Sequence, residues 1–387
     1  MNHLSGNRHF FVNWQKQAGL SLIELMIALL IGTILLGGVM QIFLASRQAS
    51  RLSEGMARTQ ENARFASDYL QRDIRMIGHY GCVNDQSRLQ TVGALASHLP
   101  LAGFDPLDFA VSVEGYEASG TGPGNTVTLG SEVGGWTPAL PAAISALSPR
   151  AGSDVLVLRY LYQEGAPVSA IATTGSATTF TVPAARWTAF TSDGIAAPVL
   201  FGVADCSYAD IFRATATNST AGTVTTGANI DRYTPLPSGQ TMLFRAESLV
   251  YYVGTGAGGG PSLFRAHYDG ATNRYVADEL VEGVENLQFL YGLDRVADLT
   301  NNPPSGYIDV VDTAAGVGAT EPQWRRVGGI QVGMLMRSPD RAAADAPAAA
   351  NRKQLLGVTF NTPATADQMF RDTFEMTVVA RNRLYGN

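Results

Sequence analysis

Lysine is nearly absent from this chain of 387 residues: Lys16 and Lys353 are its two occurrences, so the positive charge is almost entirely arginine. Against 27 basic residues stand 33 acidic ones, giving a net charge of −6, a balance that makes a general binder of nucleic acid or anionic lipid a poor reading. Histidine is sparse and scattered, at His3, His9, His79, His98 and His267. No H-E-x-x-H, G-x-S-x-G or C-x-x-C occurs, and the carboxylates fall at no spacing that demands an active site. A structural protein rather than an enzyme is therefore expected, with no cofactor and no metal. Cysteine occurs twice, Cys82 and Cys206, the smallest number that can close one bridge. Proline is missing before Pro100, which leaves the first 99 residues free of the strongest helix breaker. The length allows roughly two or three domains, and 41 glycines with many Thr, Ser, Val and Ala favour short strands and turns after the first 80 residues.

What is abundant is apolar sequence near the N-terminus. Leu25–Met40 carries no charge, and with its flanks it makes about 26 residues, a helix of about 39 Å that can cross a hydrocarbon core of about 30 Å. Arg8 and Lys16 precede it, so the positive-inside rule sends the rest of the chain outward. A cleaved secretory signal would want a shorter apolar core followed by an A-x-A-like site, and no such site follows. A plain signal anchor fits the length but leaves Glu24 unexplained. A lone acid in lipid costs about 2.5–3.5 kcal/mol at mid-membrane, somewhat less near an end, and so asks for a partner.

The hexapeptide Gly19-Leu20-Ser21-Leu22-Ile23-Glu24 resembles the signal of type IV prepilins, with Leu20 and Ser21 in place of the usual Phe and Thr. The resemblance implies cleavage after Gly19 by a membrane aspartyl peptidase, methylation of the new N-terminal Leu20, and an assembly contact from Glu24 to a neighbouring subunit's terminal ammonium. Opposite charges in low dielectric compensate one another where neither does well alone. Loss of the leader, with Arg8 and Lys16, takes the net charge from −6 to −8.

Further blocks resemble one subgroup, the PilW-type minor pilins. They are 60–65 (QENARF), 73–82 (DIRMIGHYGC), Asp205-Cys206, 279–292 (ELVEGVENLQFLYG), 324–327 (WRRV), 332–337 and 378–383 (VVARNR). Both cysteines fall in such blocks, and the outward side is oxidising, so a Cys82–Cys206 disulfide is expected. The resemblance implies an α+β, type IV pilin-like fold: a long N-terminal helix, membrane-spanning in its first half, packed on a large β-rich domain. Its expected divisions are leader 1–19, spanning or filament-core helix 20–45, amphipathic continuation 46–78, and β-rich domain 79–387. The implied role is initiation or assembly of type IV pili, within a tip or priming complex, with twitching motility, adhesion and DNA uptake all open as its use. Prepilin peptidase, other minor pilins, the major pilin, an inner-membrane assembly platform and a tip adhesin are the implied partners, with no nucleic acid. The alternatives are a minor pseudopilin of a type II secretion system, or a membrane-anchored periplasmic binding module that never enters a filament.

Periodicity fills in the rest. Leu52, Met56, Ala63, Ala66, Leu70, Ile74 and Ile77 mark one apolar stripe, so a continuous helix from about Ser21 to Ile77 is predicted, with Gly78 as its C-cap. Residues 100–151 read as loop-rich and 214–229 as an exposed Thr/Ala/Gly insertion. The run Val155–Tyr162 reads as a buried strand, and 178–182, 199–203, 209–212, 284–291, 327–336 and 374–380 as further strands. Leu249–Val253 and Leu263–His267 read as a hairpin. Its glycine-rich tip lacks the following helix start and Lys-Ser/Thr pair of a phosphate loop. Asp294, Asp298, Asn301, Asn302 and Asp309 read as a solvated loop without the Glu of an EF-hand.

Overall fold

The computed structural model describes residues 19, 21–82, 93–99, 106–299, 302–342, 352–363, 365 and 367–383. The architecture is the expected α+β one, a single long helix followed by a β-rich domain. The chain divides into two compact units between Arg51 and Leu52.

The helix, α1, runs unbroken from Leu22 to Ile74. Up to Arg51 its large apolar side chains stand free: Leu22 is 76% exposed, Ile34 66% and Ile42 72%. Its most apolar stretch has a mean hydropathy of 2.4, and none of it is buried. From Leu52 onward one face is covered, formed by Gly55, Thr59, Ala63, Ala66, Leu70, Asp73 and Ile74 at spacings of three and four. The start of the predicted stripe is corrected here. Leu52 and Met56 face solvent, 37% and 39% exposed, and Gly55 and Thr59 take the inner face instead. The domain approaches too closely for bulk at that point, since a Cβ on Gly55 would lie 2.5 Å from the Cβ of Ala342. Thr59 buries its hydroxyl by donating to the Gly55 carbonyl at 2.7 Å. Past Ile74 the helix tightens, with Met76 N–H donating to Asp73 O and Ile77 N–H to Ile74 O, and Gly78 then adopts φ +75°. The end therefore comes three residues earlier than predicted, through a tightened turn that a left-handed glycine closes.

Twelve strands make the large sheet. The strand Met242–Thr255 pairs antiparallel with Val155–Pro167 on one side. Leu200–Ala204 and Pro261–Asp269 share its other side. The run Val155–Tyr162 is apolar apart from Arg159 because both faces of its strand are covered. Val155 and Val157 pack with Ile144 and Val250, while Leu156 and Leu158 pack towards α1. Four strands, Ile308–Asp312, Val284–Asp294, Val327–Arg341 and Met369–Val379 in that order, make a second sheet, and three short strands a third. The main core joins Ala63, Ala66, Leu70 and Ile74 of α1 to Leu158 and Tyr251 of the large sheet and Phe289 and Val332 of the second. Each such Leu or Phe contributes about 1.5–3 kcal/mol of burial. The hairpin expected around residues 249–267 forms with Leu249 opposite His267.

Two sequence readings are overturned. The stretch 214–229, exposed over 215–221, is a hairpin rather than a loose insertion: Ala209–Asn218 and Thr223–Thr226 pair antiparallel, and Val224 is fully buried among Phe180, Phe201 and Phe212. Threonine is a good strand former, and here it covers the outer face of a hairpin. The loop-rich stretch 100–151 contains Val113–Ala118, a strand buried at every position although it carries Glu114 and Glu117.

Candidate functional site

Gly19 lies in open space, with no atom within 4 Å of where a Cβ would be. Leu20 and residues 1–18 lie outside the described residues, so of the expected cleavage and methylation positions only the glycine is described. Glu24 sits in the first turn of α1, where its Oε2 accepts from the Ser21 backbone N–H at 3.1 Å. Leu25 N–H donates to Ser21 O in turn, which makes Ser21 the cap and Glu24 the third helical residue. That is one half of a capping box, with negative charge at the positive end of the helix dipole. No other charged side chain occurs between Glu24 and Arg47. The segment thus presents one carboxylate at the head of an uncovered apolar rod. Chemically it can lie in lipid or pack laterally on like helices, with one acid available to meet a cation.

At the other end of α1 several distant segments converge. The buried carboxylate of Asp73 accepts from Tyr251 Oη at 2.6 Å, from Arg72 Nε at 2.9 Å and from Arg265 at 3.4 Å. Asn382 Nδ2 donates to the carbonyls of Arg75 and Ile77, each at 3.2 Å, supplying partners that a helix end lacks by itself. His79 Nδ1 meets Leu161 O at 2.7 Å, and burial lowers the His79 pKa. Cys82 is bonded to Cys206, Cα to Cα 4.6 Å, across 124 residues.

The block 279–292 has a structural account at nearly every polar position. Gly283 has φ +81° and approaches Arg337 O so closely that a Cβ would lie 2.5 Å from it. Glu285 forms a two-pronged, buried ion pair with Arg371, at 2.5 and 2.9 Å. Asn286 and Gln288 both donate to Gly152 O. Tyr291 packs edge-on against Trp324, centroids 4.9 Å apart, and its hydroxyl occupies the place where Gly115 would carry a Cβ. These residues hold the second sheet together and fasten it to Gly152 and to the strand Val113–Ala118.

Sequence reasoning missed the buried carboxylates. Asp154 accepts from the N–H groups of Ala118 and Phe289, joining the strand Val113–Ala118 to Val284–Asp294. Burial, and next the charge of Glu117, raise its pKa. Glu117 itself is pushed up to about 7, by burial first and by Asp312 as a further cause. Asp210 collects His98, Arg232 and Tyr233 and is held low by those hydrogen bonds against the cost of burial. The available signal was the pair Glu114 and Glu117 in an otherwise apolar stretch. Asp294, assigned to a solvated loop, instead ends a strand and is buried, accepting from Val296, Ser305 and Gly306. Arg295 and Asp309 pair at 2.7 Å nearby. Among the described residues no cluster of three His, Cys, Asp or Glu side chains suits a metal ion.

A family model described as type IV pilus-assembly protein W matches residues 250–382. A second, the prokaryotic N-terminal methylation motif, matches residues 14–40. The two matches support a PilW-type pilin. The PilW match takes in Glu285, Tyr291, Trp324, Arg371 and Asn382, the residues just described as fastening the domain together. The methylation motif takes in Gly19 and Glu24. Comparison with curated proteins and with solved structures gives no match. The pilin domains point to a structural protein of the pilus system, anchored in the inner membrane through its N-terminal apolar helix.

Proposed function

We propose that this pilin is a minor subunit that helps to initiate type IV pilus assembly, in a tip or priming complex with other minor pilins. In this reading residues 1–19 are a leader that prepilin peptidase removes after Gly19, and Leu20 becomes the methylated N-terminus. Residues 20–45 span the inner membrane and later lie in the filament core, 46–78 continue the helix, and 79–387 form the periplasmic domain. The observation that carries the reading is the uncovered apolar stretch of α1 from Leu22 to Ala45 with Glu24 as its lone charge. A helix that needed only to anchor would gain nothing from an acid there. The outward placement of the domain rests more on the Cys82–Cys206 disulfide than on the flanking charges, since Arg47, Arg51 and Arg58 follow the span. The major pilin, the assembly platform and a tip adhesin are the further partners.

The test is a Gly19→Ala strain. An immunoblot should show an uncleaved precursor, and surface pili should be lost or sharply reduced. Normal piliation with the precursor uncut would overturn the assignment in favour of a membrane-anchored binding module.

A further inference from the structure

Within the globular domain a cavity of about 270 Å³ opens between the loop 194–199 and the turn 269–271. Arg245, Glu247, His267 and Tyr268 line it. An adjoining recess shares Arg245, Glu247 and His267 and adds Tyr162 and Arg265. The polar groups differ in how far the protein itself uses them.

Arg245 is fully committed. It pairs with one carboxylate oxygen of Glu247, donates to Phe190 O and Ser192 O at 2.8 Å, and lies 4.3 Å over the Tyr162 ring. Glu247 is 6% exposed, and among the described residues its other oxygen, Oε2, accepts no hydrogen bond. His267 likewise has no protein hydrogen bond among the described residues. Its nearest charged neighbour is Asp278, at 3.8 Å. Neither group is sealed from solvent, the His267 side chain being 23% exposed, so both keep hydrogen-bonding capacity to offer a polar guest in the cavity.

Charge selects among polar ligands. Glu247 is neutralised by Arg245, Arg265 faces Asp73 at 3.4 Å, and Asp269 is taken up by Ala271 N–H and Thr272 Oγ1 at 2.9 and 2.7 Å. The cavity therefore offers hydrogen-bonding capacity with little net charge. An apolar guest would strand Glu247 and His267, while an anion or cation would find no unpaired opposite charge. Tyr268, held edge-on against Tyr275 with centroids 5.4 Å apart, supplies a flat apolar wall beside these groups.

We propose that this cavity binds a neutral, hydroxyl-rich molecule of monosaccharide size. A ligand hydroxyl donates to Glu247 Oε2, a second exchanges a hydrogen bond with His267, and the C–H face of the ring lies against Tyr268. The inference is independent of where the subunit sits in a pilus.

The test uses the full chain in a detergent without sugar head groups, read by saturation-transfer NMR. The probes are methyl α-D-glucopyranoside, methyl β-D-galactopyranoside and N-acetylglucosamine, with inorganic phosphate and methylammonium as charged controls. At least one sugar should bind. Ala197→Trp, at an exposed position on the mouth of the cavity, should weaken it at least tenfold at an unchanged melting temperature. His267→Phe should weaken the same sugar, a check made from inside the cavity. Absence of transfer to all three sugars, undiminished binding in Ala197→Trp, or binding of a charged control in place of the sugars would each overturn the proposal.

Discussion

A methyl group at Gly55 would meet the Cβ of Ala342 at 2.5 Å, so any larger residue must push the helix from the domain. Gly55→Leu gains about 1 kcal/mol of helix propensity but overpacks a closed contact, which costs about 1–3 kcal/mol and more where backbone must shift. Net destabilisation is expected, seen as a lower melting temperature. An unchanged or higher value would show that the contact yields freely. Glu117 makes the opposite case, a residue whose side chain is the burden. Its pKa is raised to about 7 by burial, with Asp312 adding to it. A carboxyl raised in the fold binds its proton more tightly there than in the unfolded chain. Stability from this group is thus fullest at acid pH, falls as pH rises from the ordinary glutamate range to about 7, and is level above. Glu117→Gln removes that fall. Its melting temperature relative to the unsubstituted protein should be higher at pH 8 than at pH 5, and an equal difference at both would refute the account.

At the scale of elements, the sequence made legible those segments whose periodicity has one cause. The run Val155–Tyr162 is apolar on both faces but for Arg159, the alternation at residues 374–380 matches a half-buried strand, and α1 has neither proline nor a competing pattern over 53 residues. Illegible were elements whose burial depends on what lies opposite. Val113–Ala118 hides Glu114 because Arg159 comes from the next strand to pair with it at 2.8 Å. The inner face of α1 begins with Gly55 and Thr59 because the domain comes close there, and no hydrophobic stripe records a close approach. The methylation motif around Gly19 and Glu24 was legible because its residues are contiguous, while the cavity at Glu247 and His267 left no mark, its walls being drawn from three separated stretches. The disulfide belongs to this scale as well, since it ties the exit of α1 to the turn after Leu200–Ala204. Closing a loop of 124 residues restricts the unfolded chain by about 4–5 kcal/mol in the chain-entropy account. Cys82→Ser should lose a stability of that order in denaturant unfolding. Reductant should bring the unsubstituted protein to the same midpoint while leaving the variant where it is. A variant that unfolds with the oxidised protein would show the bridge to be thermodynamically idle.

At the scale of the whole molecule, the proposed contact with other subunits runs through Glu24, which lies in the first of the two compact units. It has a local use already, as acceptor for the Ser21 N–H at 3.1 Å, and this competes with the intermolecular reading. The two uses separate chemically. A capping acceptor needs an oxygen, which glutamine also provides, whereas compensation of a neighbour's ammonium in low dielectric needs charge. Glu24→Ala and Glu24→Gln should therefore both be cleaved after Gly19 and both keep the melting temperature of the globular domain. If the carboxylate pairs with a neighbouring N-terminus, both variants should stay in the membrane fraction and be depleted from sheared pili alike, by tenfold or more. Were capping its whole role, Glu24→Gln would reach the filament as the unsubstituted chain does and only Glu24→Ala would fall short. Quantitative immunoblotting of sheared pili against membranes reads the difference, and recovery by glutamine is the result that would return Glu24 to a purely local part.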